Sequence, residues 1–383
     1  MFISDEHDTN FNHHRYSCDD YILGTMYEIN ENREAPEVIA RLDERMNLEQ
    51  TDMDGKRMTI IHKGYASRHL FEIENFVKDI VHSEGQHILG KKYYRQVNNW
   101  LDYYSEIYRY STRVEAFYDA CKSMGLIGSK RSFEFSLFDA MEISAGISYM
   151  DLFNKLIEQV YACCQGREFK ERERLRKANA ERNKKNVLAL EEAMFSEETG
   201  RSRWIILSLT LRYKPSYRRW ITPDIIQQHR DRFFAARRFN ELMSGIKNYV
   251  WTIEQGEDTG LHLHVILFYS ADSNHDEYIA MQIGKYWENI VTEGKGDYWN
   301  SNGGKLKKGY AEKGHGVGVG QINWNDLAKR DALRINLVYL AKTEQYLMIK
   351  VANSIHTFGT GQVPKKAKSG RPRGLANCET IIA

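Results

Sequence analysis

The cysteines of this 383-residue chain form no pattern. Cys18, Cys121, Cys163, Cys164 and Cys378 are odd in number and scattered, with no CxxC pair. That argues against a disulfide framework and against a zinc finger, and it points to a reducing compartment. An excess of charge of one sign is also missing. Lys and Arg number 54 against 52 Asp and Glu, a net +2, so any basic surface has to come from local segregation. No apolar run approaches the ~18 residues that cross a bilayer. The first ten residues, MFISDEHDTN, are acidic and polar, unlike a secretory leader. No GxxxxGK[ST] sequence occurs, so no P-loop ATPase is expected within the chain. What is present is 42% hydrophobic and 28% charged residues, the balance of a soluble globular protein with a core, in one large domain or two.

Taken in order, residues 1–35 are polar and read as an arm. Residues 36–165 carry helical spacing, as in Val38, Leu42 and Met46 or Tyr93, Val97, Leu101, Tyr104 and Tyr108. The tyrosine-rich stretch from Lys91 to Tyr110 fits either a packed helix or a base-stacking surface, and packing is the commoner use of such a stripe. No role for this helical domain is legible. Residues 166–202 hold a charged segment, REFKERERLRKANAERNKKN, that reads as a solvated linker helix with a domain boundary near Gly200. Residues 203–362 read as β-α-β-β-α-β followed by a helix. The strands are Trp204–Leu211, Asn248–Glu254, the stretch from Gly260, and Val317–Ile322. The helices start at Thr222-Pro223 and Asp276, and the last runs from Asp326 to about Met348. The glycine-rich span from Thr292 to Gly316 reads as a loop, His315 included. The fold class expected is α+β, a ferredoxin-like antiparallel sheet preceded by a mostly helical region. A basic tail, 363–383, carries Lys365, Lys366, Lys368, Arg371 and Arg373, which could touch phosphates without sequence preference.

Chemistry gathers on the strand GLHLHVILFYS. Side chains alternate along a strand, so Leu261, Leu263, Val265 and Leu267 share one face while His262 and His264 point together from the other. Imidazole is the commonest protein ligand for a divalent metal, although a pair of half-buried structural histidines would look the same. The preceding strand is joined by a short loop, so the two should form a hairpin, and in an even-to-even register Glu254 joins the histidines. One carboxylate and two imidazoles leave coordination positions on Mg²⁺ or Mn²⁺ for phosphate oxygens and water. On the last helix, Tyr339 and Lys342 are three apart and share a face. A phenolate is a usable phosphorus nucleophile, and a neighbouring cation helps a phenol of pKa about 10 reach that form. Tyr346 lies two turns further, displaced by roughly 10 Å, and is a possible second nucleophile.

These residues resemble a known family. WIILSLTL, EQGEDTGLHLHVILF and YLAK look like motifs I, II and III of the HUH endonucleases, in the order found in rolling-circle replication initiators. YVWTIEQGEDTGLHLHVILFYS, IGKYWENIVTEGKGDYWN, VYLAKTEQYL and HTFGTGQ together look like the inovirus-type replication proteins, also met as the prophage YagK/YfjJ C-terminal domain. The resemblance spans roughly residues 203–362. It implies a nickase acting on single-stranded or hairpin DNA at a replication origin through a 5′-phosphotyrosine intermediate. His262, His264 and Glu254 would hold the metal, Tyr339 would attack and Lys342 would assist. It also implies host helicase and polymerase as partners, in the cytoplasm of a bacterial cell. The competing readings are a non-cleaving DNA-binding regulator on the same fold and an RNA-binding ferredoxin-like module, which should show exposed aromatics on the sheet face.

Overall fold

A computed structural model describes residues 68–342 apart from 88–89, 105, 107, 129–132, 145, 257–259 and 313–315, together with 49–51, 57–59, 347–349 and 356–364. The polar arm, Tyr346, His315 and the five basic residues of the tail lie outside the described residues. The main helices are α1 (Arg68–His82), α2 (Thr112–Ser123), α3 (Tyr149–Gln165), α4 (Arg167–Phe195), α5 (Pro223–Ala235), α6 (Asp276–Tyr286), α7 (Gly304–Glu312) and α8 (Leu327–Lys342). The main strands are β1 (Tyr108–Tyr110), β2 (Arg203–Tyr213), β3 (Ile246–Gly256), β4 (Gly260–Tyr269), β5 (Gly296–Asn300), β6 (Gly320–Asn323), β7 (Leu347–Ile349) and β8 (Phe358–Thr360). Helix and antiparallel sheet are thus combined in an α+β chain. Among the described residues, no helix is long and apolar enough to cross a membrane.

The N-terminal region is helical because its apolar residues recur every third or fourth position. Leu70, Ile73, Val77 and Ile80 line α1, and Phe153, Ile157, Val160 and Cys164 line α3. Ser148 caps α3, accepting from the Asp151 backbone amide while the Asp151 carboxylate accepts from Ser148, a reciprocal box. Phe76 sits among Tyr93, Trp100, Phe117 and Phe153, with ring centroids 5.0–6.0 Å away. The tyrosine-rich stretch is not one helix. It breaks into short turns and ends in β1, and Tyr93, Tyr94 and Tyr110 are buried in this core, so they offer no stacking surface for bases.

The large sheet has the order β6–β2–β4–β3–β8, every pair antiparallel, with β5 pairing the second half of β2 along the edge whose first half pairs β6. Both faces are covered. Ile205, Leu207, Leu209 and Leu211 of β2 with Leu261, Leu263, Val265 and Leu267 of β4 pack under Ile226 and Phe233 of α5 and Ala280 and Ile283 of α6. On the other face Ile206, Val250, Ile266 and Phe268 meet Leu190, Met194 and Phe195 of α4 and Leu333, Leu337 and Leu340 of α8. Each such Val, Leu, Ile, Phe or Met side chain, fully buried, stabilises by about 1.5–3 kcal/mol.

Three expectations change. The span from Thr292 to Gly316 is not a loop, since it holds β5 and α7. The last helix stops at Lys342 instead of Met348. Leu347–Ile349 is strand β7, paired with β1 of the N-terminal region, and Tyr346 lies outside the described residues. The charged segment is one helix, α4, but its last turns, from Val187 to Phe195, are core of the sheet layer and not linker. Its charges pair at three-residue spacing, Glu171 with Arg174 and Glu173 with Arg176.

A buried ion cluster fixes α8 against α4. Arg330 grips Glu191 through Nε (2.7 Å to Oε1) and Nη2 (3.1 Å to Oε2), Arg334 Nε donates to the same carboxylate at 2.8 Å, and both arginines reach Glu192. Removing one partner of a buried pair leaves the other uncompensated. Glu191→Ala is therefore expected to cost on the order of 3 kcal/mol, whereas Lys285→Ala on an exposed surface should stay within about 0.5 kcal/mol. The midpoint of urea unfolding at unchanged slope measures both.

Candidate metal centre

Register assembles the site. In the β3–β4 hairpin Glu254 stands opposite His262 and Thr252 opposite His264, and between β2 and β4 Thr210 stands opposite His264. All five side chains therefore project from the same face of the sheet, the one covered by α4 and α8. Glu254, His262 and His264 are all buried, His262 completely.

Their ligand atoms converge. Glu254 Oε2 lies 3.2 Å from His264 Nε2 and 3.6 Å from His262 Nε2, and one ligand atom from each residue falls within 4.8 Å of the others. Ligands about 2.1 Å from one cation stand roughly 3.0–3.5 Å apart, so this spacing suits a shared ion. The other ring nitrogens are engaged. His262 Nδ1 donates to the Gly260 carbonyl at 3.0 Å, and His264 Nδ1 lies 2.9 Å from Thr210 Oγ1, a hydroxyl that can accept its proton. Occupying Nδ1 on both rings turns the Nε2 lone pairs inward, the arrangement that outer partners of metal-bound histidines impose. Gly260 can aim its carbonyl this way because its φ of +65° suits a residue without a Cβ.

The polar atoms at the centre are what a cation would satisfy. Neither oxygen of Glu254 nor Nε2 of His264 takes part in a hydrogen bond of good geometry, although all three atoms are shut off from solvent. Burial by itself would push the Glu254 carboxyl up. In the metal-free protein, charge and hydrogen-bond interactions with the neighbouring His264 and His262 outweigh that and hold it at about 2, against an ordinary 4.5. Glu254 is thus a carboxylate at any working pH. Its contribution to stability is fully present above about 4.5 and is lost as pH falls toward 2. A buried carboxylate and two inward-facing imidazoles fit a divalent transition-metal or Mg²⁺-like ion.

Tyr339 lies on α8, the helix over this same face. Its ring packs into the seam between the N-terminal core and the core of α4, α8 and the sheet, and its hydroxyl is shut off from solvent. Lys342 closes the helix one turn on, and its side chain lies outside the described residues. The structure therefore brings Glu254, His262 and His264 together and sets Tyr339 in the covering layer. Sequence reasoning missed Thr210 and Thr252, whose hydroxyl donates to the Thr357 carbonyl at 3.1 Å. It also missed Arg212, buried on the same face, whose Nε donates to Asp297 at 2.8 Å. A signal was present: Ser208, Thr210 and Arg212 are the polar alternate positions of an otherwise aliphatic strand.

The chain matches no known family model, no curated protein and no solved structure.

Thr210→Val removes the partner of His264 Nδ1 at nearly constant volume and should weaken metal binding 10–100-fold. His262→Ala combined with His264→Ala should abolish it. Calorimetric titration with Mn²⁺ reads both, and equal affinity in Thr210→Val would mean that the hydroxyl does not orient the ligand.

Proposed function

We propose that the chain is a metal-dependent, tyrosine-mediated single-strand DNA endonuclease and strand transferase of the HUH type, initiating rolling-circle replication of a phage or prophage-type element. The observation that carries the reading is the buried Glu254–His262–His264 cluster on the sheet face covered by the helix of Tyr339. The strand order lends support. With β5 and α7 taken as an insertion, β2-α5-β3-β4-α6-β6 has the order fourth–first–third–second, that of a split βαβ, ferredoxin-like sheet. The RNA-binding alternative loses its basis, because histidines and a carboxylate occupy the face where stacking aromatics would be needed.

In this mechanism the Tyr339 oxygen attacks the phosphorus of one phosphodiester. The bond from phosphorus to the 3′-oxygen breaks, and that oxygen leaves as a 3′-hydroxyl with a proton replacing the one lost by the phenol. The 5′-phosphate stays on the enzyme as a phosphotyrosine ester, so bond energy is kept and the reverse step rejoins ends. Lys342, one turn along, steadies negative charge or orients the phenol. A divalent cation held by Glu254, His262 and His264 would supply a Lewis acid that draws charge from a phosphate oxygen. Mn²⁺ suits a set with two imidazoles better than Mg²⁺ does, since nitrogen donors favour the transition metal. The freed 3′-hydroxyl would prime a host polymerase in the bacterial cytoplasm, with a host helicase unwinding ahead.

The full chain incubated with end-labelled single-stranded DNA of random sequence and Mn²⁺ should give a band that survives denaturation. Tyr339→Phe should abolish that band and leave reversible DNA binding intact, and excess EDTA should suppress it. An adduct on the Phe variant would put the nucleophile elsewhere. Binding without any adduct on the natural chain would favour the non-cleaving regulator.

A further inference from the structure

We propose that a basic groove on the opposite face of the sheet, between α5 and the β3–β8 edge, binds the phosphodiester backbone of DNA. The groove is a cavity of about 800 Å³ lined by Arg230, Arg237, Arg238 and Lys247, with Tyr249 and Trp251 as its floor. Its lining holds four cations and one carboxylate, Asp231, a net +3, whereas the whole chain carries +2. In a chain so near neutrality, that segregation is the local basic surface which the overall charge does not provide.

The cations are held in place before any ligand arrives. The Arg230 guanidinium lies 4.5 Å from the Trp251 ring, and its Nη1 donates to the His356 carbonyl at 3.4 Å. Arg237 lies 4.9 Å from the Tyr249 ring and donates from Nε to the Ile246 carbonyl at 2.8 Å. Arg238 and Lys247 stand exposed on the rim. The aromatic rings are already covered. Tyr249 stacks on Phe234 with centroids 4.0 Å apart, and Trp251 lies across Gly359 of β8, where a Cβ would come within 2.7 Å of the ring. With these faces taken, the groove offers charge and not stacking, so it recognises the backbone without reading bases.

The choice of DNA as ligand rests on the proposed function. Trp251 and Glu254 belong to one strand, three residues and about 10 Å apart along it, and they point to opposite faces. DNA held in the groove is thereby anchored near the reaction centre but outside it.

The test measures reversible binding by fluorescence anisotropy in the Tyr339→Phe background, so that no covalent product contributes. The probes are a labelled 30-nucleotide random single strand and the corresponding duplex, each over a salt series. Arg238→Gln with Lys247→Gln should weaken binding on the order of 10-fold at 0.1 M salt. The slope of log affinity against log salt should fall by about 1.4 on the single strand, or about 1.8 on the duplex, and whichever probe shows the change is the form bound. Lys170→Gln with Lys285→Gln, exposed residues elsewhere, removes the same net charge and should change neither quantity. Unaltered affinity and slope in the groove variant, or an equal loss in the control, would overturn the proposal. Thermal unfolding confirms that each variant is folded. The two readings fail separately: normal binding by the groove variant with a tyrosine adduct on the natural chain removes the groove alone. Impaired binding with no adduct keeps the groove and removes the nickase.

Discussion

The pairing register of β2, β4 and β3 is the constraint on which the rest of the molecule depends. Side chains alternate along a strand with a period of two, so a slip of one residue would carry His262, His264 and Glu254 to the face of α5 and α6. It would also put Leu261 and Leu263 where the candidate metal centre now is. The aliphatic residues that flank the histidines prevent this. Leu261, Leu263, Val265 and Leu267 are buried on the far face, and Ile266 and Phe268 are buried on the near one. Hydrophobic burial on both sides of β4 thus fixes where the polar cluster stands.

The covering layer is fixed with comparable rigour. A helix resting on a sheet through leucines alone can slide by a fraction of a turn at small cost. α8 also carries Arg330 and Arg334, and their shared hold on Glu191 and Glu192 of α4 specifies one position. Buried ion pairs of this sort define geometry better than they add stability. Here the geometry so defined includes Tyr339, about one turn beyond Asn336 on the same helix. The far end of the layer is tied to the N-terminal region, because β7 follows α8 and pairs with β1.

The hairpin was legible in the sequence because everything that determines it is local: alternating leucines, two histidines and a short connection. An even-to-even register was one that the short connection allowed, and in the structure Glu254 does stand opposite His262. Thr210 was out of reach as a partner, since the offset between β2 and β4 is set by tertiary packing across more than fifty intervening residues. The region around β5 was misread for a different reason. Its glycines suggested a loop, but Gly296 is small in order to fit against Trp287 and Thr292, where a Cβ would come within 2.5–2.9 Å. The end of α8 was misjudged because Thr343 to Met348 has helical spacing, and nothing local announces that Leu347–Ile349 pairs with Tyr108–Tyr110. In α4 the apolar positions Val187, Leu190 and Met194 were obscured by the charges preceding them.

The two faces of β3 divide the work in a way that follows from charge. The centre formed by Glu254 and the histidines is buried, and its carboxylate and imidazoles suit a cation and not a phosphodiester. The groove lined by Arg230, Arg237, Arg238 and Lys247 is positive and wide, yet its rings are already packed and it holds no cluster of metal ligands. Under the proposed function, attraction and reaction would belong to different surfaces. The electrostatic term that brings a polyanion to a protein acts over about a Debye length, near 10 Å at 0.1 M salt. A chain of nearly zero net charge could hold DNA on the proposed terms only by concentrating its cations, and the strand shared by the two proposed sites would keep that concentration in register with the chemistry.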